Sequence, residues 1–267
     1  MKKTLLIVMM LVFSSALVAQ TNKVFEKQAP ANSIKVKESK KMLLNAQTYA
    51  IDLNALKQSL QPAPSRGSAK ASSVVIAFPN ETGKMEAFRI YEASVMDPVL
   101  QANYPDIRSY VGVGIDNPAD VIRFSISPAG LQSMRLSPGK KATFIEPYTT
   151  DLSQYTVFSR DQKANPIDNF ECEVTNAMNT SFANNQAMLK NANDGILRRY
   201  RLAVSTTGEY TAYHGGTKAA ALAAINATMT RVNGVFENDF NVTMVLIANN
   251  DSVIYTSSSS DPYTSNY

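Results

Sequence analysis

The sequence predicts an α+β or α/β chain, in which a β-rich antiparallel region precedes a βαβ unit. Three observations predict this. From Ala71 to about Phe158, short apolar runs alternate with polar residues at a period of two, with turn clusters between them, as antiparallel strands require. From Thr217 to about Asn238, apolar residues recur at steps of three and four, the spacing of a one-faced helix. Val242 to Ala248 is then almost continuously apolar, as expected for a strand covered on both faces.

The elements follow in order. Met1-Lys2-Lys3 is a short positive start, Leu5 to Phe13 is apolar, and Ser14, Ser15, Ala16 and Ala19 are small. That order is a secretory signal peptide over residues 1–19, with processing expected after Ala19, so the chain is expected to be exported and secreted. The apolar run is far short of the ~20 residues that a membrane span needs, and no second run of spanning length follows. No membrane association is expected once the signal is cleaved.

Residues 20–70 read as a leader and linker. A helix is expected near Met42 to Leu60, on the spacing of Leu53, Leu56 and Leu60, and it should end at the breaker-rich Gln61-Pro62-Ala63-Pro64-Ser65-Arg66-Gly67. Residues 71–160 form the β-rich region. Val74 to Phe78 reads as a buried strand. Phe88 and Ile90 alternate with Arg89 and Tyr91. Val111, Val113 and Ile115 alternate with Tyr110, Gly112 and Gly114. Ile122, Phe124 and Ile126 alternate with Val121, Arg123 and Ser125. Asp97-Pro98 can start one short helix, with the acid as cap and the proline at the first position. Residues 161–197 are polar and asparagine-rich, without a sustained period, and read as a linker. In residues 198–267, Leu202 and Val204 suggest a strand, Thr217 can cap the long helix, and Val253 to Tyr255 suggests a further strand. Strand, helix and strand make a βαβ unit. By itself such a unit lacks partners to bury its sheet, and it looks like the beginning of a larger α/β domain.

Composition narrows the function classes. The net charge is +4 over 267 residues. Six early lysines (Lys23, Lys27, Lys35, Lys37, Lys40, Lys41) precede the first strand pattern. They read as a solvated segment, not as a basic face interleaved with aromatics, so no nucleic-acid partner is expected. The chain has one cysteine, Cys172, and one histidine, His214. Internal disulfides are therefore excluded, and so is any metal site that requires three His or Cys ligands.

Arg199-Tyr200 and the strand after it, Tyr210 and Tyr213 before a glycine loop, Ile225-Asn226, Val232-Asn233 and Phe236 on the helix, and Phe240-Asn241-Val242-Thr243 after it together resemble the reprolysin-like (M12B-type) branch of the metzincin zinc proteases. The likeness extends over residues 75 to 267 and is similar to secreted bacterial members that carry a pro-region. It implies a metzincin-like catalytic domain beginning near residue 198, zinc in the full-length parent, and protein or peptide substrates for that parent. The family signature H-E-x-x-H-x-x-G-x-x-H, three zinc-binding histidines with a glutamate base, does not occur in this sequence and is expected beyond Tyr267. The chain alone is therefore expected to be inactive and to hold no zinc. Leu202 stands where a calcium-binding carboxylate often follows Arg-Tyr, so no calcium site is carried over.

Cys172 stands in Cys172-Glu173-Val174-Thr175. Reprolysin pro-regions carry a similar Cys-Gly-Val-Thr. The resemblance implies a thiolate placed on the zinc of the full-length zymogen, where it fills the open position. Glu173 replaces the glycine, and the alternative is an inert free thiol. Arg198-Arg199 is either a processing site between pro-region and protease or two charges at a strand start. His214 reads as a loop histidine, Glu209, Glu237 and Asp239 as solvated acids, and Met229 and Phe236 as core. Two functions stay open. One is a metalloprotease zymogen whose pro-region inhibits or chaperones the protease. The other is a noncatalytic exported β-rich binding or adhesion module.

Overall fold

The computed structural model describes residues 24–31, 35–40, 43, 47–160 and 195–263. The expected signal peptide with Ala19, and Cys172, lie outside the described residues. Nine strands are described in the first part: β1 (Phe25–Gln28), β2 (Gln47–Ile51), β3 (Val75–Pro79), β4 (Met85–Glu92), β5 (Arg108–Gly114), β6 (Val121–Ser127), β7 (Gly130–Leu136), β8 (Thr143–Pro147) and β9 (Tyr155–Ser159). They form one antiparallel sheet in the order β1-β2-β9-β8-β7-β6-β5-β4-β3. From β3 to β9 each strand pairs with the next, and β2 then returns to close on β9. The sheet curls until its edges meet through their side chains. Phe25 of β1 packs on Phe78 of β3 at 5.3 Å between ring centroids, so the barrel is nearly closed.

The inward residues make the first core: Phe78, Phe88, Ile90, Ile122, Phe124, Ile126 and Tyr155 are all buried in it. Phe78 also meets Phe124, with centroids at 5.1 Å, within the range of favourable aromatic pairs. Tyr110, not Val111, belongs to this cluster on β5. The inner face of β5 therefore carries Tyr110 and Gly112, the opposite phase from one that places the valines inside. Crowding is the reason. A Cβ on Gly112 would lie 2.6 Å from Ile122 and 2.8 Å from Ile90.

Part of the segment expected as one helix and a solvated leader is strand. Gln47–Ile51 pairs with both β1 and β9, with Tyr49 opposite Tyr155. Among the described residues of that segment, the helix is confined to Leu53–Leu60 (α1). Thr48, Tyr49 and Ile51 suit a pleated surface. Asp52 then starts the helix by accepting from the Asn54 and Ala55 amides at 3.0 and 2.9 Å. The short helix drops Leu56 and Leu60 into the barrel core. Lys40 is only 9% exposed and pairs with Glu146. The lysine run concealed this, because the carboxylate that pairs with Lys40 lies 106 residues downstream.

The expected helix at Asp97-Pro98 is present as α2 (Pro98–Asn103), with Asp97 accepting from the Val99 amide at 3.0 Å. The last part holds β10 (Arg198–Leu202), α3 (Gly208–Tyr213), α4 (Lys218–Phe240) and β11 (Val242–Leu246). β10 and β11 pair in parallel, Arg198 opposite Val242 and Leu202 opposite Leu246, with both helices in the connection. Thr217 caps α4 by accepting from the Ala220 amide at 3.1 Å, and Asn241 ends it in the left-handed region at φ 52°, where asparagine is tolerated. Val253 to Tyr255 is not a strand. Asn250–Val253 forms a 3-10 turn, and Ile254 makes a single bridge to Thr206. Among the described residues no helix is long and apolar enough to cross a membrane.

α4 lies across the outer face of β5, β6 and β7. One side of it, with Leu222, Ile225 and Met229, joins Leu246 and Ile254 in a second core that also contains Val95, Met96, Leu100 and Ile107 from the first part. The other side is small and polar: Asn226, Thr230, Asn233 and Gly234 are buried. Phe236, expected in the core, is 38% exposed, because the helix has by then passed the apolar cluster.

Candidate functional site at the seam between sheet and helix

The outward residues of β6 are Arg123 and Ser125, which on an uncovered sheet would face water. α4 covers them, and both are buried. Closeness follows from Gly234, where an added Cβ would sit 3.1 Å from the Arg123 Cγ and 3.2 Å from the Met134 Cε. A buried guanidinium needs a counter-charge, and Glu237 of α4 supplies it. Its carboxylate accepts from Arg123 and from Arg66, the latter through both guanidinium nitrogens, one at 3.2 Å. Burial and then the Arg66 cation both weaken the hold of Arg123 on its proton. This triad lines a cleft of about 950 Å³ between the sheet and the end of α4, with Tyr91, Val113 and Asp239 on its walls.

A second charged cluster holds the middle of the helix. Glu146 of β8 accepts from Arg231 of α4 at 2.7 Å and from Lys40. Arg231 lies 5.4 Å over the Phe144 ring and Lys40 lies 5.2 Å over Phe158, and the two rings stack at 5.5 Å. Burial pushes the Glu146 carboxyl up, but Arg231 and Lys40 outweigh it and hold the group below its ordinary value. Between the clusters, Ser109 of β5 donates to the Asn226 Oδ1 at 2.9 Å, and Thr230 donates to Ser109 at 3.0 Å.

Two buried asparagines act as backbone surrogates. Asn233 of α4 donates to the Met244 carbonyl at 2.8 Å and accepts from its amide at 2.9 Å. Asn250 does the same for Val204, at 3.1 and 2.8 Å. Each fastens a loop or strand end that would otherwise hold unpaired groups away from water.

Among the described residues, the structure does not bring the sequence-predicted site residues together. Arg198 and Arg199 lie exposed on β10. His214 caps α3, 4.4 Å from the Tyr210 ring and 4.9 Å from Tyr213, and burial lowers its pKa. Glu209 and Asp239 are exposed. Glu237 is the correction: it is a half-buried member of an ion triad, because α4 presses it against Arg123. A usable signal lay in the sequence. Arginine and serine alternate with the apolar residues of β6, while Asn226, Thr230 and Asn233 recur at helical spacing, so the two polar surfaces match.

Chemically the seam is a set of matched charges, in which Glu237 accepts from Arg66 and Arg123 and Glu146 accepts from Lys40 and Arg231. Among the described residues no three His, Cys, Asp or Glu side chains converge on a metal position. With one histidine in the sequence, the chain does not carry the three-histidine ligand set of the H-E-x-x-H-x-x-G-x-x-H signature.

The segment that carries α4 is also the part with recognisable kin. Residues 197–267 match the family model described as metallo-peptidase family M12B, reprolysin-like. No curated protein matches the chain. The match begins just before β10 and covers the C-terminal segment only. Over residues 197–267, then, the chain is similar to the reprolysin-like metallopeptidases.

Proposed function

We propose that this chain is the N-terminal part of a secreted zinc metalloendopeptidase precursor. The antiparallel sheet serves as a pro-region, and the segment from residue 198 onward begins the protease. The observation that carries this is the seam: the reprolysin-like segment sits on the sheet through partly buried ion pairs and a shared apolar core, as a protease part held by its own pro-region would. Zinc and a peptide substrate belong to the parent protease. This chain supplies no ligand set for the metal and is expected to cleave no peptide. Cys172 is the candidate thiolate that keeps the parent latent, and Arg198-Arg199, exposed at the start of β10, is the candidate processing position.

The test is a fluorogenic peptide assay on the precursor encoded by the longer reading frame, alongside this chain. Chelator-sensitive activity is expected from the processed precursor and none from the chain. Cys172→Ala should raise activity before processing. Zinc-dependent turnover by the chain alone, or a reading frame without H-E-x-x-H, would overturn the proposal.

A further inference from the structure

A strand in a two-stranded sheet has one edge unpaired, and its N–H and C=O groups then need another partner. β11 has that partner. Beyond β10, the backbone of Val95–Asp97 lies along its other edge: the Leu246 amide donates to the Val95 carbonyl at 2.8 Å, and the Asp97 amide donates to the Leu246 carbonyl at 2.9 Å. Met96 and Leu246 are bridged in parallel. The donating segment belongs to the connection between β4 and β5, in the antiparallel part of the chain.

That connection is shaped by its own hydrogen bonds. The Ser94 hydroxyl donates to the Gln101 Oε1 at 2.9 Å and accepts from the Met96 amide at 3.1 Å. The Gln101 amide donates to the Tyr104 and Ile107 carbonyls at 3.1 and 2.8 Å. None of these bonds involves the C-terminal segment. The connection therefore presents a preformed strand edge, and Val95, Met96, Leu100 and Ile107 present apolar side chains that are buried against Leu222, Ile225 and Leu246. Main-chain bonds to an open edge with side chains in pockets are how an extended segment completes a foreign sheet.

We infer that Val95–Asp97 is a donated edge strand, which holds β11 to the antiparallel sheet so that the two parts stay joined when the chain between them is cut. Calling these parts pro-region and protease rests on the proposed function; the strand donation itself does not. The join combines three elements: the donated strand, the shared apolar core and the two ion clusters. Loss of the covalent connection removes none of them.

The test uses the full chain with a specific cleavage site inserted between residues 176 and 190. After cutting, the pieces are passed over a sizing column without denaturant, and amide exchange is followed at Leu246 and Asp97. Co-elution is expected, with exchange at both amides slowed on the order of a hundredfold against an unprotected amide, as for a paired strand. Asp97→Pro removes one of the two bonds and should speed Leu246 exchange on the order of fivefold, the worth of one hydrogen bond. Asp97→Asn keeps the amide and the helix cap and should leave it unchanged. Separation of the pieces, or unprotected exchange at Leu246 in the cut but otherwise unaltered chain, would overturn the inference even if Asp97→Pro fails to fold. The peptidase assay on the longer precursor is an independent readout. A joined but non-latent precursor would sink the pro-region proposal and leave the donated strand standing.

Discussion

Glu237→Gln keeps the shape of the side chain and removes the charge that two arginines share. The side chain of Arg123 is 4% exposed, that of Glu237 13% and that of Arg66 31%. For opposite charges ~4 Å apart at an effective dielectric constant of ~20, the interaction is about 4 kcal/mol. Arg66 is nearer to water, and its share is worth no more than ~1 kcal/mol. The glutamine oxygen still accepts a hydrogen bond and recovers about 1 kcal/mol. The expected destabilisation is therefore on the order of 3–4 kcal/mol, in line with breaking a buried pair from one side. Urea unfolding of both chains measures it. A double variant, Arg123→Met with Glu237→Leu, removes both charges and should recover most of the loss, since apolar replacement of a buried pair is often neutral. A loss below about 1 kcal/mol for Glu237→Gln would refute the reasoning, because Arg123 would then need no counter-charge.

Other outcomes are expected from the same geometry. The Glu146 carboxyl is held below its ordinary 4.5, so its contribution to stability is complete above that value and is lost as pH falls through the depressed one. Glu146→Gln should lower stability at pH 7 and flatten the acid limb, read from melting temperatures across a pH series. Burial pushes the Tyr110 and Tyr155 phenols up to about 12 from 10.0. The folded state thus keeps protons that the unfolded state loses, and stability should fall between pH 10 and 12 by about 1.4 kcal/mol per unit for each phenol; Tyr110→Phe should reduce that slope in the same series. Leu60→Ala empties a position that is 2% exposed in the barrel core and should cost 2–5 kcal/mol, roughly, in urea unfolding.

Much of the fold was legible in the sequence because local chemistry decides it. Alternation in β4 and β6, the Asp97-Pro98 start of α2, and the Thr217 cap of α4 are written in neighbouring residues. Three features were not, and each depends on distant contacts. Gln47–Ile51 is a strand because β9 needs a partner about a hundred residues downstream. Gly112 faces inward because Phe88, Ile90 and Ile122 converge there. Arg123 is buried and pairs with Glu237 because a helix from the C-terminal segment covers β6. The seam was missed for that last reason. Residues that look solvated on each surface become a site only when the surfaces meet. The resemblance to reprolysin-like proteases was carried by residues of β10, α4 and β11, and the family match falls on that same segment.

Asn233 is followed by Gly234. In a flexible chain this dipeptide invites attack of the glycine nitrogen on the asparagine amide carbon, with loss of ammonia and opening of the ring to aspartate or isoaspartate. Inside α4 the backbone cannot reach that geometry, and the amide is occupied at both ends by Met244. Folding thus protects the bond chemically as well as mechanically. An excursion that frees α4 exposes it, and the resulting carboxylate would face the Met244 carbonyl where a donor stood before. The clasp then repels what it held, and the excursion becomes a permanent mark on the molecule. Peptide mapping of aged samples should find deamidation at Asn233 rising with time spent in partial denaturant, and little in native buffer; equal rates in both would show that the helix gives no such protection.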